Sequence, residues 1–236
     1  MCGRYTLRTA PQEVATQFEL FVPPPIGQRY NIAPSQQVGA VKAQLDADGR
    51  IARQWQEFSW GLLPGWAESS VGTQRPINAR SETAASKPTF REAFRRRRCL
   101  IPADGFYEWQ SSRREKQPYF FSLRDQPLFA FAGLYEHWES APGQEAGGTI
   151  DSCTILTTEA NELMREFHDR MPVILEPRDY SAWLDPTCED ADVVAPLCRP
   201  LPSERMQHWA VSQRVNSPKY DDAACLRRSE VRRLFD

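Results

Sequence analysis

Short runs of apolar and β-branched residues, separated by proline, glycine and other turn residues, make up most of the chain. They predict strands at Val38–Leu45, Arg53–Trp60, Cys99–Pro102, Phe106–Gln110, Tyr119–Leu123, Leu128–Ala132, Cys153–Thr157, Pro172–Leu175 and Gln207–Ser212. Most neighbouring runs are too close along the chain for a crossover helix to fit between them. The pattern therefore favours an antiparallel or mixed sheet.

Helical spacing is confined to a few short segments. Thr9-x-x-Gln12 has the form of a capping box and precedes Val14 and Phe18, which share one helical face. Thr89-x-x-Glu92 has the same form, and Pro177 suits the first turn of a third helix. Since strands outnumber helices, the pattern predicts an α+β fold.

Length and composition agree with one domain of this kind. The chain of 236 residues, 41% of them hydrophobic, is long enough to bury a core without disulfides. Its 19 prolines against 12 glycines favour rigid turns over long helices. We predict a single domain over residues 1–236, with a mixed or antiparallel sheet curled toward a barrel and short helices packed outside it.

The formal net charge of −2 does not by itself indicate a nucleic-acid partner. Basic residues nevertheless concentrate in one stretch, opposed there only by Glu82 and Glu92. They are Arg75, Arg80, Lys87, Arg91, Arg95, Arg96, Arg97 and Arg98. Such a stretch either lines a phosphate-binding groove or forms a solvated helix face, and taken alone it fits the second interpretation better.

The 6 cysteines lack the C-x-x-C spacing of a structural zinc site, so we expect no metal and no cofactor. Cys99 and Cys153 lie in apolar runs and are predicted to be core residues. The N-terminus lacks the apolar stretch of a signal peptide, and no window reaches transmembrane length. We expect a cytoplasmic protein with reduced thiols and no membrane association.

Cys2 occupies a position of chemical interest. Its small side chain permits removal of Met1, which would leave an α-amine and a thiol on one residue. These groups have ordinary pKa values of about 7.7–8.0 and about 8.5, so both should reach their nucleophilic forms near neutral pH with modest help. Such an aminothiol condenses with an aldehyde to a five-membered thiazolidine, and the opened sugar of an abasic DNA site is an aldehyde. The alternative is an incidental cysteine near a frayed terminus.

Six motifs, in order along most of the chain, resemble the SRAP family, the SOS-response-associated peptidases or abasic-site-processing proteins. They are MCGRY (1–5), RYNIAP (29–34), WGLLPGW (60–66), INARSET (77–83), IPADGFYEW (101–109) and HDRMP (168–172). The resemblance extends from Cys2 to about Asn216. It implies a DNA-damage protein of the SOS response that acts on abasic sites in single-stranded DNA.

The resemblance assigns four residues to catalysis. Cys2 would be the nucleophile after autocatalytic loss of Met1, and Asn78 would position its α-amine and the opened sugar. Glu108 would act as general acid and base, while His168 would assist proton transfer and hold the sugar hydroxyl. The implied enzyme is a thiol autopeptidase that crosslinks abasic sites, with lyase-type chemistry and few or single turnovers.

The resemblance also implies a set of DNA-binding residues. Arg4, Arg80 and Arg170 would grip phosphates on either side of the lesion, and Trp66 would stack against a base. Trp66 stands between Gly65 and a polar run, which also makes it the tryptophan most expected to be exposed. By contrast, Trp55, Trp138 and Trp183 are expected to lie in the core.

Spacing within the motifs is compatible with these roles. Asn78 and Arg80 are two residues apart and would point the same way on a strand, so that one could reach the reacting centre and the other a phosphate. The same spacing separates His168 from Arg170.

Each catalytic assignment has a structural alternative. Glu108, on the strand that the Asp104-Gly105 turn should launch, could be paired with a nearby arginine. His168 could satisfy a backbone carbonyl, and Asn78 could cap a turn.

Two positions depart from the family pattern. The segment Ser217–Asp222 replaces an asparagine-rich stretch, so whether residues 217–225 contact DNA stays open. Ala67 stands where some relatives have a second bulky or basic residue beside Trp66, which predicts a smaller strand-separating wedge.

Three other functions compete with DNA crosslinking. An N-terminal-nucleophile glutaminase or other amidohydrolase also matures to a Cys-Gly start. Its glutamine-binding loops typically use Asn-Gly and Gly-Asp pairs, and the chain contains neither. A peptidase acting on other proteins would use the same residues, whereas a non-catalytic reader of modified bases would leave Cys2 idle. We predict a monomeric abasic-site sensor that is nucleoid-associated when engaged on DNA.

Overall fold

A closed five-stranded barrel lies at the centre of this computed structural model, which describes residues 2–111, 116–140 and 148–229. The strands are β1 (Tyr5–Leu7), β2 (Arg29–Ile32), β3 (Gln37–Leu45), β4 (Ile51–Trp60), β5 (Asn78–Arg80), β6 (Arg98–Ala103), β7 (Gly105–Ser111), β8 (Lys116–Leu123), β9 (Phe129–Glu139), β10 (Thr149–Glu159), β11 (Arg170–Pro172), β12 (Ile174–Leu175) and β13 (Met206–Ala210). The α-helices are α1 (Pro11–Phe18), α2 (Ser81–Ala84), α3 (Arg91–Arg96), α4 (Tyr180–Leu184) and α5 (Ala191–Val194).

Barrel closure joins strands that are far apart in the sequence. β3 pairs antiparallel with β4 and β6, and β9 pairs antiparallel with β6 and β10. β10 then closes the ring by pairing in parallel with β4. β5 and β11 extend the sheet from β10, and β12 extends it from β9. Closure removes edge strands from the ring, and every side chain of β6 is buried.

A second, antiparallel sheet packs against the barrel in the order β13-β8-β7-β1-β2. Phe106 of β7 stacks on Phe121 of β8 and meets Phe131 of β9 edge-on, which joins the two sheets through one aromatic core. At the start of β7, a Cβ atom on Gly105 would lie 1.9 Å from the ring of Phe120. Glycine is therefore the residue that fits against this ring.

The architecture confirms the predicted α+β fold with a sheet curled into a barrel and short helices. All the predicted strands exist, although β9 runs well beyond Ala132 and the predicted strand Pro172–Leu175 divides into β11 and β12 at Val173. Val173 still uses its backbone groups, since its N–H donates to Leu156 O and its carbonyl accepts from Ala132 N–H. Three short strands, β1, β2 and β5, were not among the strands assigned from apolar runs.

Both predicted capping boxes are wrong. α1 begins after Ala10, and the N–H and Oγ1 of Thr9 instead donate hydrogen bonds to the carboxylate of Asp104. α3 begins after Phe90, whose side chain cannot cap. In each case a tertiary contact or a neighbouring turn determines the start of the helix rather than the local motif.

The third predicted helix is confirmed, since a 3₁₀ turn at Pro177–Asp179 leads directly into α4. The predicted core residues Cys99, Cys153, Trp138 and Trp183 are all buried, while Trp55 packs against the core and is partly buried.

In the described ranges, the helices are too short and too polar to traverse a lipid bilayer.

Candidate active site

Cys2 lies fully buried just before β1, at the junction of the two sheets. Met1 lies outside the described residues, so its predicted removal stays a prediction. Burial raises the pKa of the Cys2 thiol far above its ordinary value, and the negative charge of Glu108 raises it further. The expectation that this thiol ionises near neutral pH with modest help concerns Cys2 after the loss of Met1, and it stays a prediction.

Asn78 makes a direct contact with Cys2. It lies on β5, which pairs with β10 so that Asn78 is opposite Ile155. Its Nδ2 donates a hydrogen bond of 3.0 Å to the carbonyl oxygen of Cys2. Its Oδ1 is buried and accepts no hydrogen bond from the described part of the chain. Asn78 therefore fixes the backbone of Cys2, and its buried Oδ1 remains available as a hydrogen-bond acceptor.

Glu108 approaches Cys2 from β7. The side chain is only 4% exposed, and its charge acts on the Cys2 thiol. Strand register explains the approach: β1 pairs with β7, and the N–H of Tyr107 donates to Arg4 O over 2.9 Å. Asp104, at the predicted turn before β7, secures this register by accepting hydrogen bonds from Thr6, Arg8 and Thr9 on the β1 side.

His168 lies on a turn that packs beside the strand pair carrying Glu108. Its neighbour Phe167 contacts the rings of Tyr119 and Phe121 on β8, with centroids 4.8 Å and 5.0 Å away. Tyr119 is in turn the cross-strand partner of Glu108. The turn is therefore docked next to the Glu108 strand by aromatic packing.

The hydrogen bonds of His168 are local. Its Nδ1 accepts from the N–H of Arg170 over 2.9 Å and lies 2.6 Å from the carboxylate of Asp169. Among the described residues, its partners are these two and not Cys2. Because β11 begins only at Arg170, the strand alternation expected for His168 and Arg170 is wrong.

A groove of about 670 Å³ begins at Asn78 and is lined on other sides by Trp66, Arg75, Lys87 and Phe90. Trp66 is 66% exposed, which confirms the expectation from sequence, and its Nε1 donates to Pro88 O over 3.3 Å. The groove combines aromatic surface, two cations and a direct route to the residue that holds Cys2.

The three predicted phosphate-binding arginines are in different environments. Arg80 is exposed at the end of β5. Arg4 is partly buried, and its Nη1 donates to Asn31 Oδ1 and Val215 O. Arg170 forms a bidentate pair with Glu82, with both N···O distances at 2.7 Å. Only Arg80 is presented without rearrangement, and phosphate binding by any of the three stays a prediction.

The basic stretch that the sequence shows is divided by the fold. Arg75 and Lys87 line the groove, whereas Arg95 and Arg96 pair with Glu189. Arg98 is 5% exposed and donates only to backbone carbonyls of its surroundings. The first part of the stretch thus belongs to the groove and the last part supports the fold.

The sequence assignments missed a polar hub beneath the N-terminus. Asn31, fully buried, accepts from Arg4 and donates through Nδ2 to the carbonyls of Val215, Ser217 and Tyr220. Asp221 accepts from the backbone N–H groups of Tyr30 and Asn31. The segment that departs from the family pattern is therefore tied to β2 behind Arg4. The signal for the hub was present in the RYNIAP motif, which holds Asn31.

Comparison with known protein families identifies the family to which the chain belongs. The family model described as SOS response associated peptidase (SRAP) matches residues 1–218, and the chain belongs to this family. The abasic site processing protein YoaM of Bacillus subtilis is 40% identical over 96% of this chain and 97% of its own length. The abasic site processing protein YedK of Escherichia coli is 30% identical over 96% of this chain and 99% of its own length.

Solved structures agree with the fold. A protein from Bacteroides thetaiotaomicron has a TM-score of 0.83 and 26% identity, covering 97% of this chain and all of that one. A protein from Bordetella bronchiseptica has a TM-score of 0.74 and 28% identity, covering 89% of this chain. The barrel with its adjoining antiparallel sheet is thus shared with these structures.

Proposed function

We propose that the protein processes abasic sites in single-stranded DNA by forming a covalent thiazolidine crosslink through Cys2. The observation that carries this proposal is the burial of Cys2 beside Glu108, whose charge acts on its thiol, and Asn78, which bonds its backbone and also lines an open groove. The relatives named abasic site processing proteins support the same conclusion. The crosslink would shield the lesion during the response to DNA damage.

Maturation comes first in this proposal. Hydrolysis of the Met1–Cys2 bond consumes one water and releases methionine, leaving Cys2 with a free α-amine and its thiol. Glu108 and Asn78 are the adjacent groups that can assist, the first by moving a proton and the second by holding the Cys2 carbonyl. The reaction is an autocleavage in which this water is the co-substrate.

The crosslinking reaction then uses the amine before the thiol. The α-amine attacks the C1′ aldehyde of the opened sugar. The Glu108 carboxylate carries the two amine protons, one after the other, from the nitrogen to the former carbonyl oxygen, which leaves as water and gives the imine. The Cys2 sulfur adds to the imine carbon, its proton passes to the nitrogen, and a five-membered ring closes.

The remaining residues would hold the substrate. His168 would assist proton transfer and contact the sugar hydroxyl, and Arg4, Arg80 and Arg170 would bind flanking phosphates. Stacking of a base on exposed Trp66 would contribute about 1–3 kcal/mol and tolerate any sequence. An imine that forms without ring closure would allow lyase-type strand cleavage. The acting species would be a cytoplasmic monomer that engages the nucleoid through damaged DNA.

The test is denaturing gel electrophoresis of the protein with a labelled single-stranded oligonucleotide that contains one abasic site. We expect a denaturation-resistant adduct with this oligonucleotide and none with the intact one. Cys2→Ser should lose the stable adduct, whereas Cys188→Ser, at a partly exposed cysteine, should keep it. A stable adduct in Cys2→Ser, or none in the parent protein, would refute the proposal.

A further inference from the structure

Trp66 is presented to the groove by a short turn. The N–H of Ala67 donates to Pro64 O over 2.9 Å, which closes a four-residue turn with Trp66 in the third position. The indole itself is 66% exposed, so little packing restrains it directly. Its location in the groove therefore depends on how firmly the turn is held.

One strand holds both neighbours of Trp66. On the C-terminal side, Trp138 Nε1 donates a buried hydrogen bond of 2.7 Å to Ala67 O. On the N-terminal side, the carboxylate of Glu136 lies directly against Gly65. Glu136 and Trp138 are two residues apart on β9 and project from the same face.

The Glu136 anchor is built into the interior. The side chain is 5% exposed, and Arg97 Nη2 donates to Glu136 Oε1 over 2.8 Å. A Cβ atom on Gly65 would lie only 3.2 Å from Glu136 Oε2, so the carboxylate packs directly against the turn. Burying a carboxylate is costly without a partner, and here the partner is Arg97.

We propose that Glu136 and Trp138 are positioning residues that orient Trp66 and thereby set the affinity for single-stranded DNA. This inference rests on the proposed function, since it assumes that Trp66 contacts a base. Neither residue is placed among the reacting groups Cys2, Asn78 and Glu108. Replacement of Glu136 or Trp138 should weaken DNA binding and leave the rate of the covalent step unchanged.

The kinetic test measures the crosslinking rate constant against the concentration of abasic oligonucleotide. Trp138→Phe deletes the hydrogen bond to Ala67 and keeps an aromatic ring, so the half-saturating concentration should rise about two- to tenfold while the maximal rate stays the same. Glu136→Gln should act in the same direction. The matched control is Trp183→Phe, which deletes the buried bond to Cys99 O elsewhere and should leave both constants unchanged.

A double-mutant comparison separates positioning from general destabilisation. In a Trp66→Ala background, Trp138→Phe should have no further effect on half-saturation. An equal effect in both backgrounds, or a fall in the maximal rate alone, would overturn the inference.

A readout without DNA distinguishes failure of this inference from failure of the proposed function. In fluorotryptophan-labelled protein, the ¹⁹F resonance of Trp66 should shift or broaden in Trp138→Phe and not in Trp183→Phe. If the Trp66 resonance changes in this way but the protein forms no adduct with abasic DNA, the anchoring of Trp66 is supported and the crosslinking proposal is rejected. An unchanged Trp66 resonance would reject the anchoring, whatever the protein does with DNA.

Discussion

Asn78 donates a hydrogen bond of 3.0 Å from Nδ2 to the carbonyl oxygen of Cys2, and its Oδ1 accepts nothing from the described residues. The bond joins β5, part of the barrel sheet, to the chain just before β1 of the second sheet. Asn78 also lines the groove that holds Trp66. This one side chain therefore connects Cys2, the proposed nucleophile, with the groove in which we propose that a DNA strand lies.

Asn78→Ala should slow crosslinking by about 10- to 100-fold, because the Cys2 backbone loses its fixed orientation toward the incoming aldehyde. Single-turnover kinetics on denaturing gels, at saturating abasic oligonucleotide, measure this rate. Gln17→Ala is a suitable control, since it removes a comparable bond, from Gln17 Nε2 to Leu128 O, away from the candidate site. Equal rates for Asn78→Ala and the parent protein would contradict the positioning role.

Glu108→Gln should slow adduct formation by about 10²- to 10⁴-fold, the usual contribution of a general acid or base. Binding of an intact single strand, followed by fluorescence anisotropy, should change little, because Glu108 is buried and does not line the groove. A variant that reacts at the parental rate would exclude Glu108 from proton transfer. A variant that fails to bind the intact strand would show that its role is structural.

The same substitution should change the acidity of Cys2. Burial is the largest cause of the raised thiol pKa and Glu108 is the second, so removal of the negative charge should lower this pKa while leaving it above the ordinary value. A lower pKa means more thiolate at a given alkaline pH. Iodoacetamide should therefore alkylate Cys2 faster in Glu108→Gln than in the parent, as measured by peptide mass, while exposed Glu13→Gln should have no effect. Slower alkylation would contradict the charge coupling.

Glu82→Gln tests whether Arg170 binds phosphate. In the structure the guanidinium is held by the Glu82 carboxylate, whose pKa is lowered chiefly by their hydrogen bond. If Arg170 must leave Glu82 to reach DNA, the neutral variant should bind a single strand about two- to fivefold more tightly, in keeping with a surface ion pair. Fluorescence anisotropy at several salt concentrations measures this, with Glu92→Gln as a control in the same basic stretch. Unchanged or weaker binding would assign Arg170 to the fold alone.

The sequence was sufficient to predict most strands and to select Cys2, Asn78 and Glu108 as candidate site residues, but it did not predict the contacts between them. The motif containing Cys2 and the strand carrying Glu108 were recognisable locally, whereas their approach depends on β1 pairing with β7 across about a hundred residues. Strands as short as β1 and β5 have too few positions to show a period of two. Long-range pairing is therefore what sequence pattern could not supply.

Local motifs also failed where tertiary partners competed for the same atoms. Thr9 has the form of a helix cap, yet Asp104 takes its N–H and hydroxyl. The arginine stretch gives no local sign that Arg98 is buried among carbonyls while Lys87 lines the groove. Basic side chains that are equivalent in the sequence therefore differ in role because the folded chain places them in different surroundings.

Intact mass spectrometry of the purified protein, before and after incubation with an abasic oligonucleotide, tests the central claim most directly. The account predicts a starting mass that lacks Met1, and a product whose mass equals protein plus oligonucleotide less one water. That product should survive denaturation and should map to Cys2. A native protein that retains its methionine, or one whose mass is unchanged after incubation, would contradict it.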